Sequence, residues 1–310
     1  MPLIIDKEMP VYRLLQEECP EALAADASCR EADVLHLLLF NLMSDKVGAE
    51  LQYLRCLGTA PQYIRVDFLR QVSYRSARQN EEYLQRFYLT EQDIAHRCYD
   101  GMIITGAPLE HISCEDTLYW EEFCRILSWT KTHVRSVFAG CWGAFAALYR
   151  DHGVAKTDLP KKLSGIYPLQ VFHPEDPLFR NCGDPMCIPL SRATDMDLDG
   201  VLRCPEVILL ASAQNGSPVY LKSRDGRYIY VTGHPEYERE RLAFEYERDM
   251  GKCKDWNIPL PQNYFPDDDP TRQPHDRWVA PGQQMFRNWL TYYVDKKTAV
   301  LDPIPAASGV

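Results

Sequence analysis

No stretch of this sequence approaches the roughly 20 consecutive apolar residues that a membrane-spanning helix needs, so no membrane span is expected. The start, Met1-Pro-Leu-Ile-Ile-Asp-Lys-Glu8, lacks the basic patch, apolar run and small-residue cleavage site of a secretory signal, and a cytoplasmic protein is expected. Positive charge is in deficit. The 34 Lys and Arg stand against 44 Asp and Glu, a net charge of −10. That argues against nucleic acid as a partner, because phosphate backbones are bound by basic surfaces. A phosphate-bearing co-substrate stays open, since it needs only a few local cations or a helix N-terminus. There is no internal repeat, no low-complexity segment and no break in composition sharp enough to mark a linker. The 11 cysteines are odd in number and scattered. A cytosolic chain keeps them reduced. Cys182 and Cys187 have no partner pair at zinc-site spacing, so no metal is expected. Asn215-Gly-Ser217 reads as a turn.

What is present is ordinary globular material, 45% hydrophobic and 25% charged over 310 residues. A short helix is expected near Val11–Glu18. Val34–Met43 is a near-continuous apolar run, as expected of a buried parallel strand. His36 within it reads as a packed or hydrogen-bonded core histidine. A helix follows to about Leu57. Tyr63–Leu69 alternates as a strand does, and Glu81 to about Arg97 holds two helical pieces. Asp100–Pro108 is a strand entering a Gly/Pro turn, and Leu118–Thr132 has helical spacing. Val134–Ala139 is a strand and Trp142–Tyr149 a helix. This alternation predicts an α/β fold, a mostly parallel sheet with helices on both faces. Ligands in such folds sit at the carboxyl ends of strands. Three turns fall there: Ser44–Lys46, Thr105–Glu110 and Gly140–Gly143. The expectation is one domain over 1–310, with an irregular segment 1–33 and a loop-rich insertion at about 151–205. Beyond it, strands are expected at Pro205–Ala213, Val219–Ser223 and Tyr228–Thr232. Helices are expected at Glu238–Met250 and Gln283–Asp295.

The sharpest local signal is Phe138-Ala-Gly-Cys-Trp-Gly-Ala-Phe-Ala-Ala147. A strand ends at Gly140, a helix begins near Trp142, and Cys141 sits on the turn, as in an elbow that presents a nucleophile above a parallel sheet. A helix N-terminus favours the thiolate. Backbone N–H groups there, including those of Trp142 and Gly143, suit a developing oxyanion. The alternative is a buried cysteine between strand and helix. The second signal is Val231-Thr-Gly-His-Pro-Glu236. A thiol nucleophile needs a base, and the base an orienting acceptor. His234 and Glu236, two apart in an extended segment, point the same way.

Together these segments resemble the homoserine O-acyltransferase family of the succinyltransferase type, related in fold to class I glutamine amidotransferases and so flavodoxin-like. The resemblance rests on Tyr99–Glu110, Cys141-Trp142, Lys162–Gly165, Ser191-Arg192, Gly233–Tyr237 and Asn263–Pro266, in the family's order and spacing. Asn41–Met43 with Lys46, and Asn288–Val294, extend it to nearly the whole chain. It implies that Cys141 carries the acyl group, His234 is the base, Glu236 its partner, and Lys46 an essential lysine near the oxyanion. Lys162, Ser191 and Arg248 match positions that contact the amino-acid substrate, and Arg192 is placed with them. A guanidinium suits an α-carboxylate through a bidentate pair. Glu110 matches the position that sorts donors. A carboxylate in the acyl pocket repels the distal carboxylate of a succinyl group, so acetyl-CoA is expected as co-substrate. No permanently bound cofactor is expected. L-Homoserine is the implied acceptor. L-Serine or another amino alcohol as acceptor, or succinyl-CoA as donor, are alternatives, and a homodimer is expected by analogy.

Three departures from the family pattern stand out. Ser44-Asp45-Lys46 replaces Pro-Lys-Lys, Leu190 replaces a histidine, and Tyr74–Asn80 differs from the usual Ser-Lys-Asn-Thr-like run. All three are expected near the substrate entrance. Two competing readings are an amidotransferase or hydrolase with the same Cys/His/Glu set, and a non-catalytic amino-acid or coenzyme A sensor.

Overall fold

A computed structural model describes residues 3–20, 31–74, 80–109, 111–252, 258–298 and 301. The strands are β1 (Leu3–Ile4), β2 (Val34–Phe40), β3 (Tyr63–Leu69), β4 (Tyr88–Leu89), β5 (Tyr99–Ile104), β6 (Val134–Gly140), β7 (Lys156–Val171), β8 (Cys187–Met196), β9 (Val207–Ala213), β10 (Pro218–Ser223) and β11 (Tyr228–Val231). The helices are α1 (Pro10–Glu18), α2 (Lys46–Leu57), α3 (Glu81–Phe87), α4 (Glu91–Ile94), α5 (Trp120–His133), α6 (Trp142–His152), α7 (Leu198–Arg203), α8 (Arg241–Lys252) and α9 (Val279–Trp289). The last of these runs on as a π-helical turn, Leu290–Val294.

The strand order is β1-β3-β2-β5-β6-β11-β10-β9-β7-β8, with β4 beside β3. From β1 to β11 every pairing is parallel. From β11 to β8 every pairing is antiparallel. Alternation along the central strands decides which face each side chain meets. Leu37, Leu39, Ile103 and Phe138 pack with α1, α2 and α9 (Leu15, Leu54, Phe286, Trp289). Leu38, Phe40, Met102, Ile104, Val137 and Ala139 pack with α5 and α6 (Phe123, Leu127, Ala144, Leu148). The parallel sheet therefore carries helices on both faces, as the alternating sequence predicted. Among the described residues no helix is long and apolar enough to cross a membrane.

Three local expectations differ. Residues 151–205 are not chiefly loop: β7 is 16 residues long and pairs with the 10-residue β8 across an antiparallel ribbon. His36 is half-exposed, and its Nε2 lies 2.9 Å from Glu31. Leu118 lies outside α5, 74% exposed, because the helix starts at Trp120. A small third core of Ile166, Tyr237, Leu242, Tyr264, Phe265 and Trp278 seats α8 against the ribbon.

Candidate active site

The carboxyl ends of β2, β5, β6 and β11 lie side by side, and the motif residues follow them. Cys141 has φ 47° and ψ −119°, a conformation that a side chain makes costly, on the order of 1–3 kcal/mol. The backbone on both sides holds it there. Cys141 N–H donates to Val231 O (2.7 Å), continuing the β6–β11 pairing. Its carbonyl accepts from Ala144 and Phe145 N–H at 2.9 and 3.2 Å. Gly106, after β5, lies directly against it: a Cβ there would stand 3.0 Å from Cys141 Cβ and 3.5 Å from Sγ. A Cβ on Gly143 would come 2.8 Å from Thr105 O, so the glycine lets α6 start close above β5. Trp142 and Gly143 are the first residues of α6, where N–H groups have no acceptor within the helix. Cys141 itself is half-buried.

β11 delivers the partner. Beyond Val231 the chain is fixed by Thr232 N–H to Val219 O (3.0 Å) and His234 N–H to Pro189 O (2.9 Å). His234 Nδ1 lies 2.8 Å from Glu236 Oε1, and the charge of Cys141 acts on its ring. The imidazole stacks on Tyr237, ring centres 4.1 Å apart and planes 16° off parallel. Burial pushes its pKa down, but the charges of Cys141 and Glu236 and the bond to Glu236 outweigh burial and raise it to about 10. His234 therefore holds its proton through neutral pH.

The β7–β8 ribbon and α8 close the other side. Ser191 is opposite Ser164 in the ribbon, and its hydroxyl lies 2.5 Å from Glu245 Oε2. Tyr237 Oη donates to Glu245 Oε1 at 2.9 Å, and Arg241 Nε lies 3.3 Å from the same oxygen. Burial pushes the Glu245 carboxyl up, but Lys162, His234, Ser191 and Arg241 outweigh it and hold it below the ordinary glutamate range. Lys162 Nζ lies 2.6 Å from Asp249, which also accepts from Arg248 Nε at 2.9 Å. Lys162, Ser191 and Arg248 are thus brought together around two carboxylates of α8. Glu245, Asp249, Tyr237 and Gly106 were not singled out in the sequence. The available signal was Arg241, Glu245 and Asp249 at intervals of four, which place one stripe along a helix.

Two expected site residues are engaged elsewhere. Arg192 is 1% exposed and serves the scaffold. It donates to Thr232 O (2.9 Å), Thr232 Oγ1 (2.7 Å) and Asp195 (2.8 Å), tying β8 to the end of β11. Its guanidinium thus stands at the end of β11, two residues before His234, with Nε left without a partner. Lys46, the first residue of α2, is buried and donates to Asn41 O at 2.5 Å. Asn41 Nδ2 donates to Tyr88 Oη (2.9 Å), while Tyr88 and Tyr83 (2.7 Å) donate to Glu50. Burial lowers the Lys46 pKa to about 7 against the opposing charge of Glu50, and burial raises Glu50 to about 7. The departures from the family pattern have local reasons where they are described. Asp45 caps α2 by accepting from Gly48 N–H (3.0 Å). Leu190 is fully buried against the position of Gly233. Glu110 and residues 75–79 lie outside the described residues.

Comparison with known proteins settles the family. A profile described as homoserine O-succinyltransferase matches residues 2–300. The chain belongs to the homoserine O-succinyltransferase family. Within that family it is 40% identical to a homoserine O-acetyltransferase of Lysinibacillus sphaericus, over 96% of each chain. It is 36% identical to a homoserine O-succinyltransferase of Pseudoalteromonas translucida, over 96% of this chain and 94% of that one. In fold it resembles a glutamine amidotransferase from Thermotoga maritima, with a TM-score of 0.56 at 13% identity, covering 84% of this chain and 99% of the other.

Proposed function

We propose that this homoserine O-acyltransferase moves an acetyl group from acetyl-CoA to the side-chain hydroxyl of L-homoserine, in the cytoplasm and on the way to methionine, through a thioester on Cys141. The observation that supports this reading is the pairing of His234 with the Glu236 carboxylate at 2.8 Å, the ring acted on by Cys141 at a strained elbow.

The Cys141 thiolate attacks the acetyl carbonyl, and the bond to the coenzyme A sulfur breaks. His234 gives its proton to the departing sulfur and is left neutral. It then takes the proton of the acceptor hydroxyl, whose oxygen attacks the thioester. The Cys141–carbon bond breaks, and the thiolate again faces an imidazolium. Splitting one transfer into two is the gain of covalent catalysis. Trp142 and Gly143 N–H groups receive the carbonyl oxygen as it gains charge. Glu236 orients the ring. Lys46 supplies positive charge at the β2 end of the crevice. Arg248 and Lys162, freed from Asp249 by exchange, take the α-carboxylate, and Glu245 with Ser191 faces the α-ammonium.

Glu110 is proposed to favour acetyl over succinyl donors. A relative of nearly equal identity is named a succinyltransferase, so the test is a matrix of acetyl-, propionyl- and succinyl-CoA against homoserine and serine, read by thiol release. Fastest turnover with acetyl-CoA and homoserine is expected, with a Cys141 adduct of acetyl mass when donor is given alone. Succinyl-CoA outpacing acetyl-CoA would overturn the donor assignment. A Cys141→Ala variant with normal turnover would overturn the mechanism.

A further inference from the structure

The far end of α6, the helix that begins at the nucleophile, carries a second cluster of reactive side chains. His152 lies in its last turn, Cys204 just after α7, and Glu206 just before β9. One ligand atom from each, a ring nitrogen, the sulfur and a carboxylate oxygen, all fall within 4.8 Å of one another. We propose that His152, Cys204 and Glu206 bind a thiophilic divalent cation of the Zn²⁺ class, with water completing the coordination.

The donor set fits that chemistry. Nitrogen, sulfur and oxygen are the donors zinc takes, at about 2.0–2.3 Å, which puts tetrahedral donors roughly 3.4–3.8 Å apart. Closing from 4.8 Å needs a shift of only about 1 Å by side chains that are half-buried or exposed. The thiol donates to Glu206 Oε2 at 3.4 Å, so sulfur and carboxylate face each other. On binding, that thiol proton leaves to solvent and the sulfur–metal bond forms. His152 is held by Tyr230, whose ring meets it edge-on at 90° and whose hydroxyl lies 3.4 Å from Nε2. The carbonyl end of α6 favours a cation, and Asp151, Glu206 and Asp225 act on His152 in the same direction while Lys131 opposes them. The cations around this pocket of about 420 Å³ are engaged elsewhere. Lys131 pairs with Asp151 (2.5 Å), Arg224 donates to Pro205 O (2.6 Å), and Arg227 to Val134 O (2.8 Å). The expectation of no metal came from the spacing of Cys182 and Cys187. These are other residues, joined only by the fold, with His152 more than 50 positions from Cys204.

Such an ion ties the end of the nucleophile helix to the α7–β9 turn. The test is Co²⁺ titration of the reduced, chelator-treated full chain carrying Cys141→Ser, which removes the catalytic thiol as a competing ligand. One equivalent is expected to bind with a thiolate-to-cobalt charge-transfer band that Zn²⁺ abolishes. Adding Cys204→Ser should remove the band, and adding His152→Ala or Glu206→Gln should weaken binding at least about tenfold. Zn²⁺ should raise the melting midpoint of the parent and leave that of the Cys204→Ser form unmoved. Absence of the band at one equivalent, or its survival in Cys204→Ser, overturns the proposal. So does equal stabilisation by Zn²⁺ with and without Cys204. Circular dichroism of each variant before titration separates lost binding from lost folding, and Glu206→Gln, at an exposed residue, keeps the test decisive if His152→Ala misfolds.

Discussion

Replacing Glu236 by glutamine isolates the charge that sets the proposed catalytic base. Glutamine keeps an oxygen acceptor for His234 Nδ1, now 2.8 Å from the carboxylate, and removes only the negative charge. In the native site His234 is raised from 6.5 to about 10, although burial opposes the shift. At about 1.36 kcal/mol per pH unit, that is roughly 5 kcal/mol in favour of the imidazolium, shared between Cys141 and Glu236. An opposite charge at this range moves a pKa by about 1–3 units. His234 should therefore titrate about 1–3 units lower in Glu236→Gln, and Cys141 acylation should slow by about 10- to 1,000-fold. Nitrogen NMR of the imidazole across pH reads the first quantity. Quenched-flow intact mass with acetyl-CoA reads the second. The sign of the stability effect is also fixed. A folded pKa above the unfolded one gives stabilisation that is full below about 6.5 and lost as pH rises through about 10. Urea midpoints should fall between pH 7 and 10 in the native chain and fall less in the variant. An unmoved His234 titration, or acylation within twofold of native, would refute the reasoning.

Gly106→Ala places a methyl 3.0 Å from Cys141 Cβ, so the thiol must give by a few tenths of an ångström. Displacement on that scale should cost about tenfold in kcat/KM, and unchanged turnover would show that Gly106 does not bear on the reacting sulfur. Glu50→Gln removes the charge that opposes the burial of Lys46, so the Lys46 pKa should drop below about 7. Activity that needs this ammonium is lost as pH rises through its pKa. The corresponding limb of the kcat/KM profile should move to lower pH, with Tyr83→Phe as a folding control, and a limb that stays in place would sink the assignment.

The parallel half of the fold was legible because its signals are local. Val34–Phe40 and Tyr63–Leu69 are apolar enough to mark buried strands, and the observed bounds fall within or on the expected ones. The elbow was legible because glycines flank a cysteine where strand meets helix. The β7–β8 ribbon was not. Its outer part is exposed on both faces, so no alternation marks it, and Pro160, Gly165, Pro168 and Pro189 read as breakers. Ribbon edges tolerate these residues because not every N–H is needed there. Glu245 and Asp249 were hidden for a different reason. Acids and bases at helical spacing look like a solvated face, and only the fold shows that the ribbon covers them.

In the proposed mechanism the same contrast separates what fixes the reaction from what fixes the acceptor. Cys141 and His234 follow neighbouring parallel strands whose register ends at Val231 and Gly140. Their placement therefore starts from the strand spacing of a sheet, about 4.8 Å, and the turn after Val231 is held by Thr232 N–H to Val219 O and His234 N–H to Pro189 O. The strain at Cys141 persists because its N–H is bound by β11 and its carbonyl by α6. Releasing it would break hydrogen bonds to two elements at once. Lys162, Ser191, Arg248 and Glu245 stand instead on a ribbon and a helix seated by the small core around Tyr237 and Trp278. Substitutions there shift side chains without touching the β6–β11 register. Acceptor preference can then change while the thioester step stays intact, and Tyr237, stacked on His234 and bonded to Glu245, is where the two parts meet.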